Sequence, residues 1–169
     1  LADPPASTDP GAAVPSAGLS ARPVLNCAGR QLDLSRPVIM GVINTTPDSF
    51  SDGGTLYRSS RLDIERAMAR AREMVHSGAA ILDIGGESTR PGAARVSLAE
   101  EQARVLPVIE AIVTQLGAKV SIDTMNAETA RLAVAAGASI INDVSGGLAD
   151  PGMFRVAADT GATIIISHW

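Results

Sequence analysis

The sequence predicts an α/β fold that forms about the first five strand–helix units of a (β/α)8, or TIM, barrel. Short β-branched runs recur along the 169-residue chain, amphipathic helical patterns separate them, and polar residues stand at the ends of several runs. Such apolar runs are typical of parallel strands that are buried on both faces. Polar side chains collected from several strand ends are typical of a barrel's active site.

The first 22 residues are predicted to be a disordered tail, and the folded domain is predicted to span residues 23–169. Residues 1–22 are rich in Pro, Ala, Gly and Ser and contain few large apolar side chains. Such a segment cannot bury enough apolar surface to offset the entropy lost on ordering. It also lacks the basic start and apolar block of a secretory signal.

A hairpin and five parallel strands are predicted. Residues 24–34 have the pattern of a small hairpin that turns at Ala28-Gly29. Five further runs, rich in Val and Ile, are predicted to form the parallel sheet. These runs are residues 38–43, 80–84, 119–123, 139–143 and 163–167.

Four amphipathic helices are predicted between the five strands. The second opens with a capping box at Ser97. The third is expected to start near Asn126, and the fourth has Asp150 as its predicted N-cap, followed by Pro151 at the first helical position. Each helix is expected to end at a glycine, which readily adopts the left-handed conformation common at helix C-termini. These glycines are Gly78, Gly117, Gly137 and Gly161.

Two architectures are compatible with alternating strands and helices: an open doubly wound sheet and a barrel. Asp83, Asp123 and Asn142 stand at or near the ends of three different strands. A barrel gathers its functional groups in this way, whereas an open sheet binds ligands at one switch point, so the barrel is preferred. A complete barrel takes about 250 residues. We therefore expect roughly three more strand–helix units after Trp169, and we expect residues 1–169 alone to be inactive.

Composition narrows the range of partners. The formal net charge is -4 and the isoelectric point is near 5.1, so nucleic acid and anionic membranes are not expected to bind. No apolar run approaches the roughly 18 residues that a membrane helix needs. Cys27 is the only cysteine. A single cysteine fits a reducing compartment, and the cytoplasm is predicted.

Two polar loops that follow strands, residues 44–54 and 85–92, carry part of the candidate chemistry. Asn44 offers a neutral oxygen ligand suited to Mg2+, and the alternative is that its segment merely begins a turn. Arg90 could bind a phosphate or a carboxylate through two hydrogen bonds, and the alternative is a solvated loop side chain.

Asp123 and Asn142 form a sharper pair. A carboxylate accepts two hydrogen bonds from an amino-pyrimidine edge, and a carboxamide both donates and accepts, so together they suit a guanine-like heterocycle. The alternative is that both side chains satisfy loop backbone. Asp83 is the more ambiguous acid, because it could belong to the site or could only brace a loop through hydrogen bonds.

Four motifs in the chain resemble the dihydropteroate synthase family. They are residues 41–54 (GVINTTPDSFSDGG), 83–92 (DIGGESTRPG), 121–124 (SIDT) and 141–144 (INDV), in order and at family-like spacing. The resemblance runs from about Val24 to Trp169. It implies a TIM barrel and the folate-pathway transferase reaction, in which p-aminobenzoate displaces diphosphate from 6-hydroxymethyl-7,8-dihydropterin diphosphate.

The resemblance also implies roles for single residues. Asn44 would bind Mg2+, the implied cofactor, while Asp123 and Asn142 would bind the pterin. Asn44, Asp123 and Arg90 are the implied catalytic residues. The implied substrate-binding residues are Thr89, Asp123, Asn142, Phe50, Arg90 and Pro91.

Within the substrate-binding set, Thr89 would contact the diphosphate. Phe50, Arg90 and Pro91 would shape the pocket for p-aminobenzoate and sulfonamides. Small molecules are therefore the expected partners, and a homodimer is the expected assembly of the full-length protein.

Two rival functions remain open at this point. A pterin-binding methyltransferase module would share the barrel and the Asp123–Asn142 pair, and a non-catalytic paralogue would keep the shape without turnover. The loops with Phe50 and Arg90 favour the synthase. The family's later pterin-binding aspartate, Lys-containing strand end and Arg-x-His anion site would lie beyond this chain, which also has Ser167 where the family usually has Met before the histidine.

Overall fold

The computed structural model of the protein describes residues 23–46, 60–87 and 96–167. They form an antiparallel strand pair followed by a five-stranded parallel sheet with helices between its strands. The strands are β1 (Val24–Cys27), β2 (Arg30–Asp33), β3 (Met40–Asn44), β4 (Ile81–Gly85), β5 (Lys119–Asp123), β6 (Ile140–Asp143) and β7 (Thr163–Ile166). The helices are α1 (Ser60–His76), α2 (Leu98–Leu116), α3 (Ala127–Ala135) and α4 (Met153–Thr160). The predicted tail, residues 1–22, lies outside the described residues.

The predicted hairpin is confirmed, with β1 and β2 joined at Ala28-Gly29. Both central residues have positive φ, 47° for Ala28 and 80° for Gly29. This is the signature of a type I′ turn, whose twist matches the right-handed twist of the two strands. The Asn26 side chain accepts a hydrogen bond from the Gly29 N–H at 3.0 Å, which helps to hold the turn closed.

The five parallel strands follow one another in space in the same order as in the chain, β3-β4-β5-β6-β7. Asn44 pairs with Gly85, Gly85 with Asp123, and Asp123 with Asn142 along one row of the sheet. A doubly wound sheet reverses its winding at a switch point, whereas a barrel adds each strand beside the previous one. The strand order therefore matches the predicted barrel rather than the open-sheet alternative.

The two sides of the sheet differ in chemistry because successive side chains of a strand point to opposite sides. The outer side is apolar along the strands and packs against the helices in the main core. Its buried strand residues are Ile43, Leu82, Ile84, Val120, Ile122 and Ile141. The inner side is apolar near the amino-terminal ends of the strands, at residues such as Ile81 and Ile140. Toward the carboxyl ends the middle strands β4 to β6 carry polar side chains, whereas β7 keeps the apolar Ile165 beside Asn142.

The hairpin packs over the amino-terminal end of the sheet. Cys27 and Leu32 are buried in one cluster with Ile81 and Ile140. The Arg30 guanidinium donates hydrogen bonds of 2.5 and 3.0 Å to the two carbonyl groups that directly follow α2. A cation is favourable there because the C-terminus of a helix carries partial negative charge. The hairpin thus covers the amino-terminal end of the sheet, opposite to the end that carries the carboxyl ends of the strands.

The predicted helix boundaries are mostly confirmed. Ser97 caps α2, and its hydroxyl accepts a hydrogen bond from the Glu100 N–H at 3.2 Å. All four predicted terminal glycines have positive φ, between 61° and 109°. Gly137 and Gly117 differ in their surroundings, because a Cβ on Gly137 would lie 2.8 Å from Val113 Cγ1 whereas a Cβ on Gly117 would have no neighbour within 4 Å.

The predicted start of the last helix is wrong. α4 begins at Met153 after Gly152, and not at Pro151 after an Asp150 cap. The Asp150 carboxylate accepts hydrogen bonds from the backbone N–H groups of Gly152 and Ala127, each at 2.9 Å. Ala127 is the first residue of α3, where the N–H has no partner within the helix. Asp150 therefore caps the neighbouring helix, through a contact that a local sequence pattern does not reveal.

None of the helices that the structure describes is long and apolar enough to cross a membrane. The longest, α2, has 19 residues and carries the acidic pair Glu100 and Glu101 in its first turn. Its apolar residues instead contribute to the core beneath the sheet.

We predict that Gly137→Ala destabilises the complete protein more than Gly117→Ala. Both alanines would have to adopt a positive φ, but only the one at position 137, with φ of 109°, would also collide with Val113. Urea denaturation should show the free energy of unfolding reduced by about 1 kcal/mol for Gly117→Ala and by about 3 kcal/mol for Gly137→Ala. Equal losses would contradict the packing argument.

Candidate functional site

Polar side chains collect at the carboxyl end of the inner side of the sheet. The alternation of side chains places Asp83 on the same side as Ile81, and Asn142 on the same side as Ile140. The pairing register places Asn44 of β3 and the residues Ser121 and Asp123 of β5 at the same end of the sheet. We name these residues the inner polar group: Asn44, Asp83, Ser121, Asp123 and Asn142.

Asn44 stands at the end of β3, next to the space left by a glycine. Thr45 ties this strand end to β4, because its backbone N–H and its hydroxyl donate to the Gly85 carbonyl oxygen at 2.8 and 3.0 Å. A Cβ on Gly85 would lie 3.2 Å from Asn44 Oδ1 and 3.4 Å from Asp123 Oδ2. Asn44 and Asp123 therefore present oxygen atoms to the same space.

Asp83 and Asn142 are joined by a hydrogen bond of 3.0 Å from Asn142 Nδ2 to Asp83 Oδ2. Asp83 is only 3% exposed, and its other oxygen accepts no hydrogen bond from the described residues. The Ser121 hydroxyl lies beside it in the register but outside hydrogen-bonding geometry. Burial raises the pKa of Asp83, and the Ser121 hydroxyl and the Asn142 amide act in the opposite direction. Asp83 thus supports a side chain of the site rather than a loop.

The Asp123 carboxyl is strongly perturbed by its surroundings. Burial raises its pKa from 3.8 to about 7, and four nearby carboxylates act in the same direction. No residue in the described part of the chain donates a hydrogen bond to it. A half-buried acceptor with a raised pKa is typical of a functional site, and a ligand with N–H donors would favour its ionised form. The four carboxylates are Asp83, Glu101, Asp143 and Glu87.

Asp143, the neighbour of Asn142, has a structural role. It is fully buried, and its carboxylate accepts hydrogen bonds from the Ser145 N–H, the Ser145 hydroxyl and the Gly147 N–H at 2.7 to 2.9 Å. These bonds fix the loop that follows β6. Of two adjacent polar residues, the first belongs to the inner polar group and the second braces a loop, because they point to opposite sides of the strand.

Sequence reasoning missed Glu101 on the first turn of α2. The residue is 1% exposed and accepts hydrogen bonds from three side chains. An acidic residue near a helix N-terminus is ordinary, so the local sequence alone does not indicate a buried role for Glu101. A usable signal was its position four residues before Val105 and eight before Ile109, which puts it on the buried face of the helix.

The structure brings three of the predicted site residues, Asn44, Asp123 and Asn142, together along one row of the sheet. No cluster of three or more His, Cys, Asp or Glu side chains that could hold a metal ion occurs within the described ranges. Four other predicted site residues lie outside the described residues: Phe50, Thr89, Arg90 and Pro91.

Comparison with known proteins gives consistent matches. Dihydropteroate synthase of Escherichia coli (strain K12) is 49% identical over 140 residues, which cover 83% of this chain and 48% of that protein. The structure of Xanthomonas albilineans dihydropteroate synthase with 4-aminobenzoic acid has a TM-score of 0.78 at 49% identity, covering 88% of this chain and 52% of the other. The same enzyme in complex with 7,8-dihydropteroate has a TM-score of 0.73 at 45% identity, covering 86% and 51%. This chain thus spans about half the length of the relatives that it matches.

These solved relatives are TIM barrels, and the five parallel strands of this chain are consecutive units of that fold, as predicted. The model of the family described as "Pterin binding enzyme" matches residues 40–169, from the first residue of β3 onward. The match includes every strand that contributes to the inner polar group. The chain therefore belongs to the pterin-binding enzyme family.

Proposed function

We propose that the complete protein is a dihydropteroate synthase, which joins p-aminobenzoate to 6-hydroxymethyl-7,8-dihydropterin diphosphate and releases diphosphate. The observation that carries this proposal is the half-buried Asp123 carboxylate, which accepts no hydrogen bond from the described residues, beside the Asp83–Asn142 pair. The motif resemblance and the dihydropteroate synthases among its relatives support it.

The inner polar group suits the amino-pyrimidine edge of a pterin. That edge offers adjacent N–H donors, and the Asp123 carboxylate can accept two of them. Because Asn142 donates its amide N–H to Asp83, its carbonyl oxygen is left to accept from the ligand. Burial strengthens these contacts, since the site has a lower local dielectric than water.

Mg2+ is part of the proposal, with Asn44 as its protein ligand. An amide oxygen is a hard, neutral ligand that fits a cation which keeps several waters and binds substrate phosphates. The position of Asn44 Oδ1 beside the Gly85 space is compatible with this role. When bound, the cation would offset the negative charge of the diphosphate.

The proposed reaction breaks the bond between the pterin methylene carbon and the diphosphate oxygen before the new bond forms. The p-aminobenzoate nitrogen then bonds to that carbon and loses a proton. Asp123 and Asn142 would hold the pterin ring while it disperses the positive charge, and Arg90 would stabilise the leaving diphosphate. Thr89 would contact the diphosphate, and Phe50, Arg90 and Pro91 would shape the p-aminobenzoate and sulfonamide pocket.

The proposal extends to the setting of the enzyme. We propose a cytoplasmic protein that forms a homodimer and whose partners are the two small-molecule substrates. Dimerisation is tested by the molar mass of the complete protein in solution, measured by light scattering.

The function is tested by turnover of the complete protein and of Asp123→Asn. Wild type should convert the two substrates to dihydropteroate and diphosphate in equal amounts. Asp123→Asn keeps the shape of the side chain but replaces one acceptor by a donor, so the dissociation constant of the pterin, measured by calorimetry, should rise by about 5- to 150-fold.

Asp33→Asn is the matched control, because Asp33 lies in the hairpin, where its carboxylate accepts from the Ser35 N–H at 2.8 Å. It should leave pterin affinity unchanged. Pterin binding by wild type without any dihydropteroate formation would reject the synthase, and equal affinity for wild type and Asp123→Asn would reject the role of Asp123.

We predict that Asn44→Ala lowers turnover much more than stability. Loss of a contact that stabilises charge in the transition state typically reduces kcat by about a hundredfold or more. Initial rates should be measured over a Mg2+ titration, alongside the melting temperature. Asn26→Ala, at the hairpin turn, is the control and should keep wild-type turnover. A rate for Asn44→Ala within about twofold of wild type at all Mg2+ concentrations would exclude the metal role.

We predict that Asp123 makes the folded protein less stable as the pH rises from about 4 to about 7. The unfolded carboxyl loses its proton near pH 3.8, whereas the folded carboxyl has a pKa of about 7. Between these values the folded state binds more protons, so a higher pH favours unfolding, by up to about 4 kcal/mol for this group. The raised pKa of Asp83 acts in the same direction.

Denaturant unfolding of wild type and Asp123→Asn across this pH range measures the effect. The difference between the two proteins isolates Asp123 from exposed carboxyls such as Asp33 and Glu128, whose lowered pKa values act with the opposite sign. Asp123→Asn should gain stability relative to wild type as the pH rises. Parallel pH curves would contradict the prediction.

A further inference from the structure

Helix α2 places a buried carboxylate against the loop that follows Asp123. Glu101 Oε1 accepts a hydrogen bond of 2.6 Å from the Thr124 hydroxyl. Its Oε2 accepts bonds of 2.8 Å from Asn126 Nδ2 and 2.7 Å from the Thr129 hydroxyl. Three donors thus converge on one side chain that is 1% exposed.

Two of these donors belong to the short connection between β5 and α3. The Thr124 hydroxyl donates to Glu101 and also accepts from the Asn126 N–H at 3.1 Å, so the carboxylate fixes the orientation of that hydroxyl. The Thr124 N–H donates to the Asn142 carbonyl oxygen at 3.2 Å. Glu101 is therefore linked through one residue to the backbone of both Asp123 and Asn142.

The same part of α2 also contacts the end of β4. The Arg104 guanidinium donates to the Gly86 carbonyl oxygen at 3.0 Å. A Cβ on Gly86 would lie 3.1 Å from Glu101 Cγ and 2.8 Å from Val105 Cγ1, so the helix touches this backbone directly. α2 consequently holds the end of β4, which carries Gly85, and the end of β5, which carries Asp123, in a fixed relation.

A packing role alone does not require a carboxylate at position 101. Burial of a charged group is costly, and an apolar side chain of similar volume is often as stable or more stable in such a place. The negative charge also acts against the ionisation of Asp123. What the carboxylate provides, and an apolar residue could not, is a set of acceptors for the loop after β5.

We propose that Glu101 is a positioning residue, which holds Thr124 and Asn126 so that Asp123 meets the pterin in the productive orientation. This inference rests on the proposed function in so far as the ligand is a pterin. Glu101 itself would not touch the substrate.

The test compares Glu101→Gln with Ile112→Val in the complete protein. Glutamine keeps the size of the side chain but turns one acceptor into an amide donor that faces other donors. Ile112, fully buried on the same helix, controls for a general loss of core packing. Glu101→Gln should raise the dissociation constant of the pterin diphosphate about tenfold while the KM for p-aminobenzoate, at saturating pterin diphosphate, stays within about twofold. Ile112→Val should change neither value.

Hydrogen exchange gives a readout that does not depend on catalysis. The Thr124 and Asn126 amides should exchange faster in Glu101→Gln than in wild type and should be unaffected in Ile112→Val. Unchanged exchange in Glu101→Gln would overturn the positioning role whether or not the protein forms dihydropteroate. Faster exchange together with absent turnover in wild type would instead overturn the proposed function and leave the link from Glu101 to the loop intact.

Thr124→Val is a second variant that removes only the loop's side of the contact. It should reproduce the weaker pterin binding and the faster exchange at Asn126 even if Glu101→Gln does not fold. Wild-type pterin affinity in Thr124→Val would overturn the proposal, because the effect would then not pass through this loop.

Discussion

The alternation of side chains along the parallel strands is the constraint on which the rest of this structure depends. Each strand has to bury one set of residues against the helices and present the other set to the inner side of the sheet. Ile122 and Asp123 are consecutive, as are Ile141 and Asn142, yet one member of each pair lies in the core and the other at the site. A shift of one residue in register would exchange these roles and destroy both.

On the inner side of the sheet, the requirement for a stable fold conflicts with the requirement for polar groups that can bind a ligand. The carboxyl end of this side holds the buried Asp83 and the half-buried Asp123. Burial disfavours the charged form of both carboxyls, and the charge of Asp83 adds to the effect at Asp123. The same arrangement leaves acceptors that a ligand with N–H donors can satisfy. The residues that are available to bind a ligand therefore lower the stability of the folded protein, which is a common feature of functional sites. The scaffold compensates through the apolar outer side and through the hairpin, which covers the opposite end of the sheet.

Much of the fold and part of the site could be predicted from the sequence, because the deciding signals are local. β-branched runs, glycines after helices and the Ala28-Gly29 turn act within a few residues. The convergence of Asp123 and Asn142 followed from a general property of parallel strands. Asp150 and Glu101 differ, because their partners lie 23 to 28 residues away in the chain. A contact of that kind depends on how two helices pack, which no short pattern encodes.

Gly85 gives the row of polar groups a property that no side chain could supply. Its neighbours in the register, Asn44 and Asp123, are kept apart by the width of two strands, and the position between them holds only backbone. Even one added methyl group would stand within 3.4 Å of an oxygen from each neighbour. A side chain at position 85 would therefore fill the space that these two oxygens face. For the ligand proposed above, Gly85 would contribute to specificity by leaving room, although it has no side chain with which to make a contact.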